Sequence, residues 1–240
     1  MRRVLAAALA VLATGLLLAA APGGEAPRDR PLPPLAADGP LRVALLGTSL
    51  SARYDWPARL GARLTACLGR PVMVEVVARP GAHSGWGVAQ VGRVAALRPD
   101  LVLIEFAIND ADLRDGRSLA QAGAAHRAIV AGLRAQRPGA AIALMTMSPA
   151  QGPRGWMRPR LGAHLAQYRD LAAALDLGLV DLTPRWRALP RAARGLKADG
   201  LHPEPGVAAA VILPVLARAI ATATGAPGAT GATCAGPAPS

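Results

Sequence analysis

Two short segments near opposite ends of the chain carry the side chains best suited to chemistry. The first, GTSLS at 47–51, places Ser49 in a turn directly after an apolar run. The second, DGLHP at 199–203, places Asp199 and His202 three residues apart. Serine becomes an effective nucleophile when a base takes its proton, and an imidazole acting as that base needs an acceptor that holds its tautomer. Together these groups predict attack by a serine on an ester carbonyl.

Each segment alone also fits a structural role. A Gly-x-Ser turn is typical of a helix N-cap formed by Ser49 or Ser51. The pair Asp199-Gly200 is typical of a turn, which would leave His202 solvated. The five-residue elbow G-x-S-x-G is absent because Ser51 stands at its last position. The two segments in one chain favour chemistry over these structural alternatives.

A serine hydrolase also needs hydrogen-bond donors for the negative charge that develops on the carbonyl oxygen. Gly81, in RPGAHSG at 79–85, offers an accessible backbone N–H. Asn109, in FAIND at 106–110, offers a neutral side-chain amide, although Asn-Asp after a strand is also ordinary turn chemistry. We predict an oxyanion hole made of these two residues and the Ser49 N–H.

Strand-length apolar runs alternate with stretches of helical period, which predicts an α/β fold of three α/β/α layers around a central, mainly parallel, five-stranded sheet. Several strands are apolar on nearly every residue, as expected when helices cover both faces. Ser49, Gly81 and Asn109 each follow a predicted strand, where reacting groups gather in such sheets. The predicted strands are 42–46, 72–78, 101–107, 141–147 and 179–182.

In their order along the chain, GTSLS, the glycine block, FAIND and DGLHP resemble the four blocks of the SGNH (GDSL) hydrolase superfamily. The resemblance spans residues 41–220 and implies a flavodoxin-like fold and metal-free hydrolysis of esters, with no cofactor. By position, Ser49 is similar to the family's nucleophile and first oxyanion donor, and Gly81 and Asn109 to the other two donors. Asp199 and His202 are similar to the remaining members of its catalytic triad.

Three positions depart from the family's pattern. Thr48 stands in place of the name-giving aspartate, and Ala107 replaces the usual glycine of the third block. The second block lacks the common asparagine, so that Gly85 is an alternative to Gly81 as the donor. The five chemical groups themselves are all present.

Other polar and aromatic residues are weaker candidates. His83, Trp86, Arg154 and Trp156 are predicted to form a rim around the substrate, the last two within the arginine-rich segment 151–160, which also holds Arg158. Arginine and tryptophan suit an acidic or sugar-containing substrate, although loop arginines are usually only solvated.

Four further residues are not expected to take part in the reaction. Glu105 lies in an apolar strand and needs a partner if it is buried. Asp110 is expected to hold the loop beside Asn109. His126 and His164 lie in predicted helices without metal-ligand spacing, so no metal site is predicted.

The ends of the chain differ in composition from its centre. Residues 1–21 combine a basic head with an apolar run, a pattern typical of a signal peptide or an N-terminal anchor, so residues 4–21 are a possible membrane tether. Residues 22–40 are rich in Pro and Gly and are predicted to be a linker. Residues 41–220 form the predicted hydrolase domain, and residues 221–240 a disordered, low-complexity tail.

The net charge of +12 comes almost entirely from arginine. These arginines are scattered rather than clustered with aromatic residues, which argues against a nucleic-acid partner. The two cysteines, Cys67 and Cys234, are too few for a disulfide framework, and we expect both to be unpaired. The alternative is a bridge that would tie the tail to the domain in an oxidising compartment.

These observations predict a periplasmic or secreted esterase for short acyl groups, acetyl above all, on a glycan or small ester. Lipases, lysophospholipases and thioesterases for longer chains use the same residues, as do acyltransferases. A catalytically silent module that binds a glycan or the cell envelope is the alternative from another class. The oligomeric state does not follow from the sequence.

Overall fold

The computed structural model describes residues 25–225 and Cys234. Its centre is a five-stranded sheet in the order β2-β1-β3-β4-β5, with every neighbouring pair parallel. The three-layer α/β prediction is therefore confirmed. The strands are β1 Leu41–Gly47, β2 Val72–Ala78, β3 Leu101–Ile104, β4 Ala141–Thr146 and β5 Gly178–Asp181.

All five predicted strands are present, and β3 differs most from its expected length. The sequence predicts β3 to reach Ala107, whereas the strand ends at Ile104. Glu105 still donates its N–H to the Leu46 carbonyl of β1, but Phe106 already caps the next helix. The apolar run thus continues from a buried strand into a buried turn, and hydrophobicity alone does not mark that boundary.

Helices cover both faces of the sheet. On one face α2 packs against α10, and on the other α6 packs against α3, α4 and α8. The apolar stripes predicted from the sequence are buried, with Leu60 and Leu64 on α2 and Ile129 and Leu133 on α6. The helices are α1 Ser49–Ala52, α2 Trp56–Leu68, α3 Ser84–Val88, α4 Val91–Ala96, α5 Ala107–Asp110, α6 Leu119–Gln136, α7 Gly152–Trp156, α8 Leu161–Ala174, α9 Leu182–Ala188 and α10 Pro205–Thr224, with a 3₁₀ turn at Arg191–Arg194.

Strand order determines where a site can form. From β1 the chain builds outward to β2 on one side and to β3, β4 and β5 on the other. Ligands in open α/β sheets bind at such a switch point, beyond the carboxyl ends of the strands. Ser49, Gly81 and Asn109 follow β1, β2 and β3 respectively, so three neighbouring strands deliver them to one crevice.

Residues 25–40, expected to be a linker, have neither a helix nor a strand of their own, yet they pack against the domain. We call them the N-terminal strap. Arg30 pairs with Leu179 of β5 in an antiparallel bridge, exchanging two backbone hydrogen bonds of 3.0 and 3.1 Å. Leu32 and Leu35 are buried in the core. The packed unit therefore begins before Leu41.

The expectation that the two cysteines are unpaired is wrong. Cys67, in the last turn of α2, forms a disulfide with Cys234, and their Cα atoms are 5.3 Å apart. Arg63 Nε also donates to the Cys234 carbonyl at 2.7 Å. Because the two cysteines are 167 residues apart, no local sequence pattern indicates that they pair.

Within the described residues, one helix, α10, has the length and composition of a membrane span, with a mean hydropathy of 1.9. It lies against α2 and α9, and Ile212, Leu216 and Ile220 are fully buried, as in the core helix of a globular domain. The predicted signal peptide or anchor at 1–21 lies outside the described residues, as does most of the predicted tail beyond Gly225.

Candidate active site

Ser49 is the first residue of α1, immediately beyond the carboxyl end of β1. Thr48 caps this helix, because its Oγ1 accepts the Leu50 N–H at 3.2 Å. The Ser49 hydroxyl is therefore not used as a cap, and its Oγ lies 2.8 Å from His202 Nε2. The Ser49 N–H, in the first turn, has no intrahelical acceptor. The hydroxyl and the backbone N–H of Ser49 are therefore both available for chemistry at the crevice.

The turn that presents Ser49 is fastened to Glu105, which is 2 % exposed. Glu105 Oε1 accepts the Thr48 N–H at 2.6 Å and the Ser51 hydroxyl at 2.8 Å, while Oε2 accepts the Thr48 hydroxyl at 2.9 Å. Burial raises the pKa of Glu105 to about 7, although these donors oppose the rise. A Cβ on Gly47 would lie 2.2 Å from Glu105 Oε1, so only glycine permits this approach.

The segment from Asp199 to His202 forms a tight loop. Asp199 Oδ1 accepts the backbone N–H groups of Leu201 and His202 at 2.9 and 3.0 Å, and Oδ2 lies 2.5 Å from His202 Nδ1. Burial alone would raise the pKa of Asp199, but the hydrogen bonds from His202 and Leu201 lower it to about 2. An ionised carboxylate only accepts hydrogen bonds, so Nδ1 carries the imidazole proton and Nε2 has a free lone pair for the Ser49 hydroxyl.

Backbone contacts hold this loop in place. Gly200 has φ +69°, and its carbonyl accepts the Gln151 N–H at 2.7 Å. The His202 carbonyl accepts the Lys197 N–H at 2.8 Å, and the Pro203 carbonyl accepts the Tyr54 hydroxyl at 2.7 Å. The imidazole is thereby fixed from both sides of the loop.

The structure brings both predicted oxyanion donors beside Ser49. Gly81 is in the left-handed region, at φ +76°, and lines the same pocket as Ser49 and His202. Asn109 lines it as well, and its side-chain amide donates one hydrogen to the Ala82 carbonyl at 2.9 Å. Since an amide NH₂ has two hydrogens, the second remains for a ligand.

A buried network behind Asn109 holds its turn. The Tyr168 hydroxyl accepts the N–H of Phe106 at 2.7 Å and that of Ala107 at 3.2 Å, at the start of α5. Its own proton goes to His126 Nε2, 3.0 Å away, so that Nδ1–H of His126 donates to the Ala122 carbonyl. Burial lowers the pKa of His126 and raises that of Tyr168, which keeps both groups neutral.

Asp110 has the loop-holding contact that the sequence predicts for it. Its Oδ1 accepts the Ser84 N–H at 2.8 Å and so links the end of β3 to the loop that carries Gly81. The two oxyanion candidates are therefore positioned relative to each other by a buried contact.

The sequence of residues 44–209 matches the model of the GDSL-like lipase/acylhydrolase family. This span covers more than half of the chain, including all four blocks. The chain belongs to the GDSL-like lipase/acylhydrolase family. It is therefore an ester-hydrolysing serine hydrolase, as the resemblance of its motifs to that superfamily implies.

Solved structures of similar fold include a lipase/acylhydrolase from Enterococcus faecalis, at 24% identity and a TM-score of 0.61, covering 70% of this chain and 89% of that one. TesA aligns at 25% identity and a TM-score of 0.59, covering 74% and 99%. A catalytic mutant of Axe2, an acetylxylan esterase from Geobacillus stearothermophilus, aligns at 20% identity and a TM-score of 0.60, covering 79% and 97%. No curated protein matches the sequence significantly.

The structure accounts for the departures from the GDSL pattern. Thr48 both caps α1 and donates to Glu105. Ala107 begins a helix, a conformation that alanine adopts at least as readily as glycine. Gly85 lies within α3 and is not among the residues that line the pocket with Ser49, whereas Gly81 is. The geometry therefore favours Gly81 as the donor of the second block.

The pocket above Ser49 has a volume of about 180 Å³ and is mostly polar. Two of its arginines, Arg53 and Arg114, were missed by sequence reasoning. Their positions in the sequence could have indicated them, since Arg53 follows Ser49 and Arg114 follows Asn109 by a few residues. The pocket is lined by Ser49, Arg53, Pro80, Gly81, Asn109, Asp112, Arg114, Asp115, Arg154, Arg158, Leu201 and His202.

Of the four predicted rim residues, the structure places Arg154 on this pocket and the other three elsewhere. His83 caps α3, where Nδ1 accepts the Trp86 N–H at 3.3 Å. Trp86 packs edge-on against Phe106, with ring centroids 6.4 Å apart. Trp156 is 76% exposed and lines a separate depression with Gln151 and Arg191. Among residues 25–225 and Cys234, no group of three or more His, Cys, Asp or Glu residues has metal-binding geometry.

Proposed function

We propose that this GDSL-family hydrolase is an exported esterase that removes short acyl groups, acetyl above all, from a glycan or a small ester. The observation that carries the proposal is the connected set of three side chains. Ser49 Oγ lies 2.8 Å from His202 Nε2, and His202 Nδ1 lies 2.5 Å from Asp199 Oδ2. The first distance is within the range for transfer of a proton from serine to imidazole, and the second contact joins the imidazole to the carboxylate that orients it.

In the proposed reaction His202 takes the Ser49 proton while Ser49 Oγ attacks the ester carbonyl. The N–H groups of Ser49 and Gly81 and the amide of Asn109 stabilise the resulting oxyanion. His202 then protonates the departing alcohol and activates a water that hydrolyses the acyl-enzyme. Asp199 remains ionised throughout and stabilises the imidazolium. Loss of one oxyanion donor typically lowers kcat by a factor of about 10²–10³.

The size and lining of the pocket support a short acyl group. Its volume is about 180 Å³, and charged or hydrogen-bonding residues dominate its walls. Pro80 and Leu201 are the two apolar side chains among its lining residues, which is too little apolar surface for a long acyl chain. The likeness of fold to a protein described as an acetylxylan esterase agrees with this preference.

Two features support export. The N-terminal sequence pattern is that of a signal peptide or anchor, and the Cys67–Cys234 disulfide fits an oxidising compartment. Cell fractionation, together with N-terminal sequencing of the mature protein, tests this part. Recovery of the chain in the cytosol, with both cysteines reduced, would contradict it.

The decisive experiment measures hydrolysis of p-nitrophenyl acetate, butyrate and octanoate by the full chain and by Ser49→Ala. We expect hydrolysis that depends on Ser49 and falls from acetate to octanoate. A fluorophosphonate probe should label the wild type and leave Ser49→Ala unlabelled. Turnover retained by Ser49→Ala would overturn the mechanism, and a preference for octanoate would overturn the short-chain assignment.

A further inference from the structure

The pocket above Ser49 has an excess of positive charge. Four arginines line it, against two aspartates besides the triad. One of these aspartates, Asp112, is already paired with Arg158 at 2.7 Å. The other three arginines, Arg53, Arg114 and Arg154, form no ion pair with any carboxylate of the described residues 25–225. The site therefore holds guanidinium groups that have no anion of their own.

Arg158 anchors part of this cluster to the rigid body of the domain. It is 4% exposed, and its Nε donates to the Ile108 carbonyl at 2.7 Å, next to Asn109. Its Nη1 donates to the Arg154 carbonyl at 3.0 Å. The backbone of Arg154 is thereby tied to the turn that presents Asn109, rather than carried on a free loop.

All four arginines line one pocket, so their positive charges act on one another. Burial lowers the pKa of Arg158, Asp112 opposes that effect, and the charges of Arg154 and Arg114 lower it further. Like charges held this near one another are unfavourable without an anion between them.

The position of Arg114 and Arg154 relates them to one part of the substrate. Both also line an adjoining depression of about 450 Å³, in which Asp199 forms part of the wall. In the proposed reaction His202, which Asp199 holds, protonates the leaving alcohol. The alcohol part of the ester thus lies on the side of the pocket where these two guanidinium groups are.

We propose that the alcohol part of the substrate carries an anionic group, a carboxylate or a phosphate, that binds between Arg114 and Arg154. This inference rests on the proposed esterase function. The planar guanidinium donates paired hydrogen bonds to either anion, which gives affinity and orientation together. The excess positive charge, to which Arg53 contributes, also raises the rate of encounter with an anionic substrate.

The test compares 3-acetoxybenzoate with 3-acetoxybenzamide, which differ in the charge of the alcohol part. Each kcat/KM is divided by the rate constant for hydroxide-catalysed hydrolysis of the same ester, which removes the difference in intrinsic reactivity. We expect the anion to be preferred at least about tenfold at low salt, and the preference to shrink severalfold in 0.5 M NaCl because salt screens exposed charges. Equal values for the two esters would overturn the proposal.

Variants locate the effect. Arg114→Gln and Arg154→Gln should each lower the anion-to-amide ratio severalfold, and the double variant should abolish the preference. Arg127→Gln, on the exposed face of α6 outside the pocket, is the matched control and should leave the ratio unchanged. An unchanged ratio in the double variant would overturn the assignment to these arginines.

Two further substrates distinguish the kind and the side of the anion. Comparing kcat/KM for 3-acetoxyphenyl phosphate with that for 3-acetoxybenzoate distinguishes recognition of a phosphate from recognition of a carboxylate. Mono-p-nitrophenyl succinate against p-nitrophenyl butyrate places the charge on the acyl side, and a preference confined to that pair would overturn the proposal. Cleavage of neither acetoxy ester by a Ser49-dependent route would refute the esterase function itself, whereas equal cleavage of both refutes only this inference.

Discussion

Thr48 and Glu105 are 57 residues apart in the chain, and the Thr48 N–H lies 2.6 Å from Glu105 Oε1. The contact joins the residue before the nucleophile to the end of β3, four residues before Asn109. Ser51 adds its hydroxyl to the same carboxylate from the other side of Ser49. The distance between the nucleophile and the Asn109 amide therefore depends on one buried acid that takes no part in the proposed reaction.

Replacing that acid tests its role. Glu105→Gln puts an NH₂ group where donors already converge, so we expect a loss of about 1–3 kcal/mol in the free energy of unfolding and a lower kcat. Urea unfolding and esterase kinetics measure the two effects. Glu75→Gln, on the edge strand β2, is the control and should change neither. Wild-type stability and kcat in Glu105→Gln would show that the contacts are dispensable.

The same carboxyl predicts how stability depends on pH. Burial raises the pKa of Glu105 from 4.5 to about 7. Between these two pH values the carboxyl group is therefore protonated in the folded chain and ionised in the unfolded chain. The bound proton adds at most about 3 kcal/mol to the free energy of unfolding. This stabilisation is complete below about pH 4.5 and is lost as the pH rises through 7.

Urea unfolding at about pH 5 and pH 8 measures that loss, with Glu105→Gln as the variant that cannot titrate. The wild type should lose more stability between the two pH values than the variant does. Parallel losses in the two proteins would assign the pH dependence to other groups.

The carboxylate of Asp199 should contribute no titration step in the pH range where the enzyme is assayed. Hydrogen bonds outweigh burial and lower the pKa of Asp199 to about 2, so it stays ionised wherever the enzyme is folded and assayed. Acidification to about pH 4 should therefore leave Asp199 ionised. An NMR titration of the Asp199 side-chain carbon should show no step between about pH 4 and pH 8, and a midpoint inside that range would contradict this assignment.

Asp199→Asn replaces the carboxylate that holds the imidazole tautomer with an amide, whose NH₂ can donate to Nδ1 and favour the wrong tautomer. We expect kcat to fall at least about a hundredfold while the fold persists, as judged by circular dichroism. Asp170→Asn, on the exposed side of α8, provides the matched control. A variant at Asp199 that keeps most of its activity would show that another group orients His202.

Gly200 is expected to be essential to the geometry of the catalytic loop. It has φ +69°, and an added Cβ would lie 2.2 Å from the Gln151 carbonyl oxygen. Gly200→Ala should displace the loop and lower kcat at least about tenfold, with little change in melting temperature, because the loop lies at the surface. Gly206→Ala, at a position in α10 with no atom within 4 Å of the new Cβ, should retain full activity.

The disulfide should contribute to stability and not to the reaction. A disulfide typically contributes about 2–4 kcal/mol to stability. Dithiothreitol should lower the urea midpoint of the wild type and leave that of the Cys67→Ser, Cys234→Ser double variant unchanged. An equal shift in both proteins would point to an effect of the reductant elsewhere.

The sequence predicts the strands and the turns that carry Ser49, Asp199 and His202 because their signals are local. A glycine turn after an apolar run and a D-x-x-H loop each indicate their own backbone geometry. The rules for parallel sheets then bring the turns after separate strands to one edge, whereas the strand order itself comes from the structure.

The remaining features depend on tertiary contacts that leave no local trace. Trp156 and Arg154 are two residues apart on one short helix, yet they lie on different depressions. The acceptor for Thr48 and Ser51 comes from another strand, and the partner of Cys67 comes from the far end of the chain. The composition of residues 25–40 is typical of a linker because proline and polar residues dominate it. Its two leucines, Leu32 and Leu35, are nevertheless part of the core.

The N-terminal strap also affects the tendency of the protein to self-associate. Beside Leu179, the outer edge of β5 is occupied by the backbone of Arg30, which takes up hydrogen-bonding groups that would otherwise face solvent. An unprotected edge strand is a template for pairing with another copy of the same chain. Proteolytic trimming at Leu41 would uncover both that edge and the sites of Leu32 and Leu35. The cut would make the enzyme more prone to self-association while every residue of its triad stayed intact.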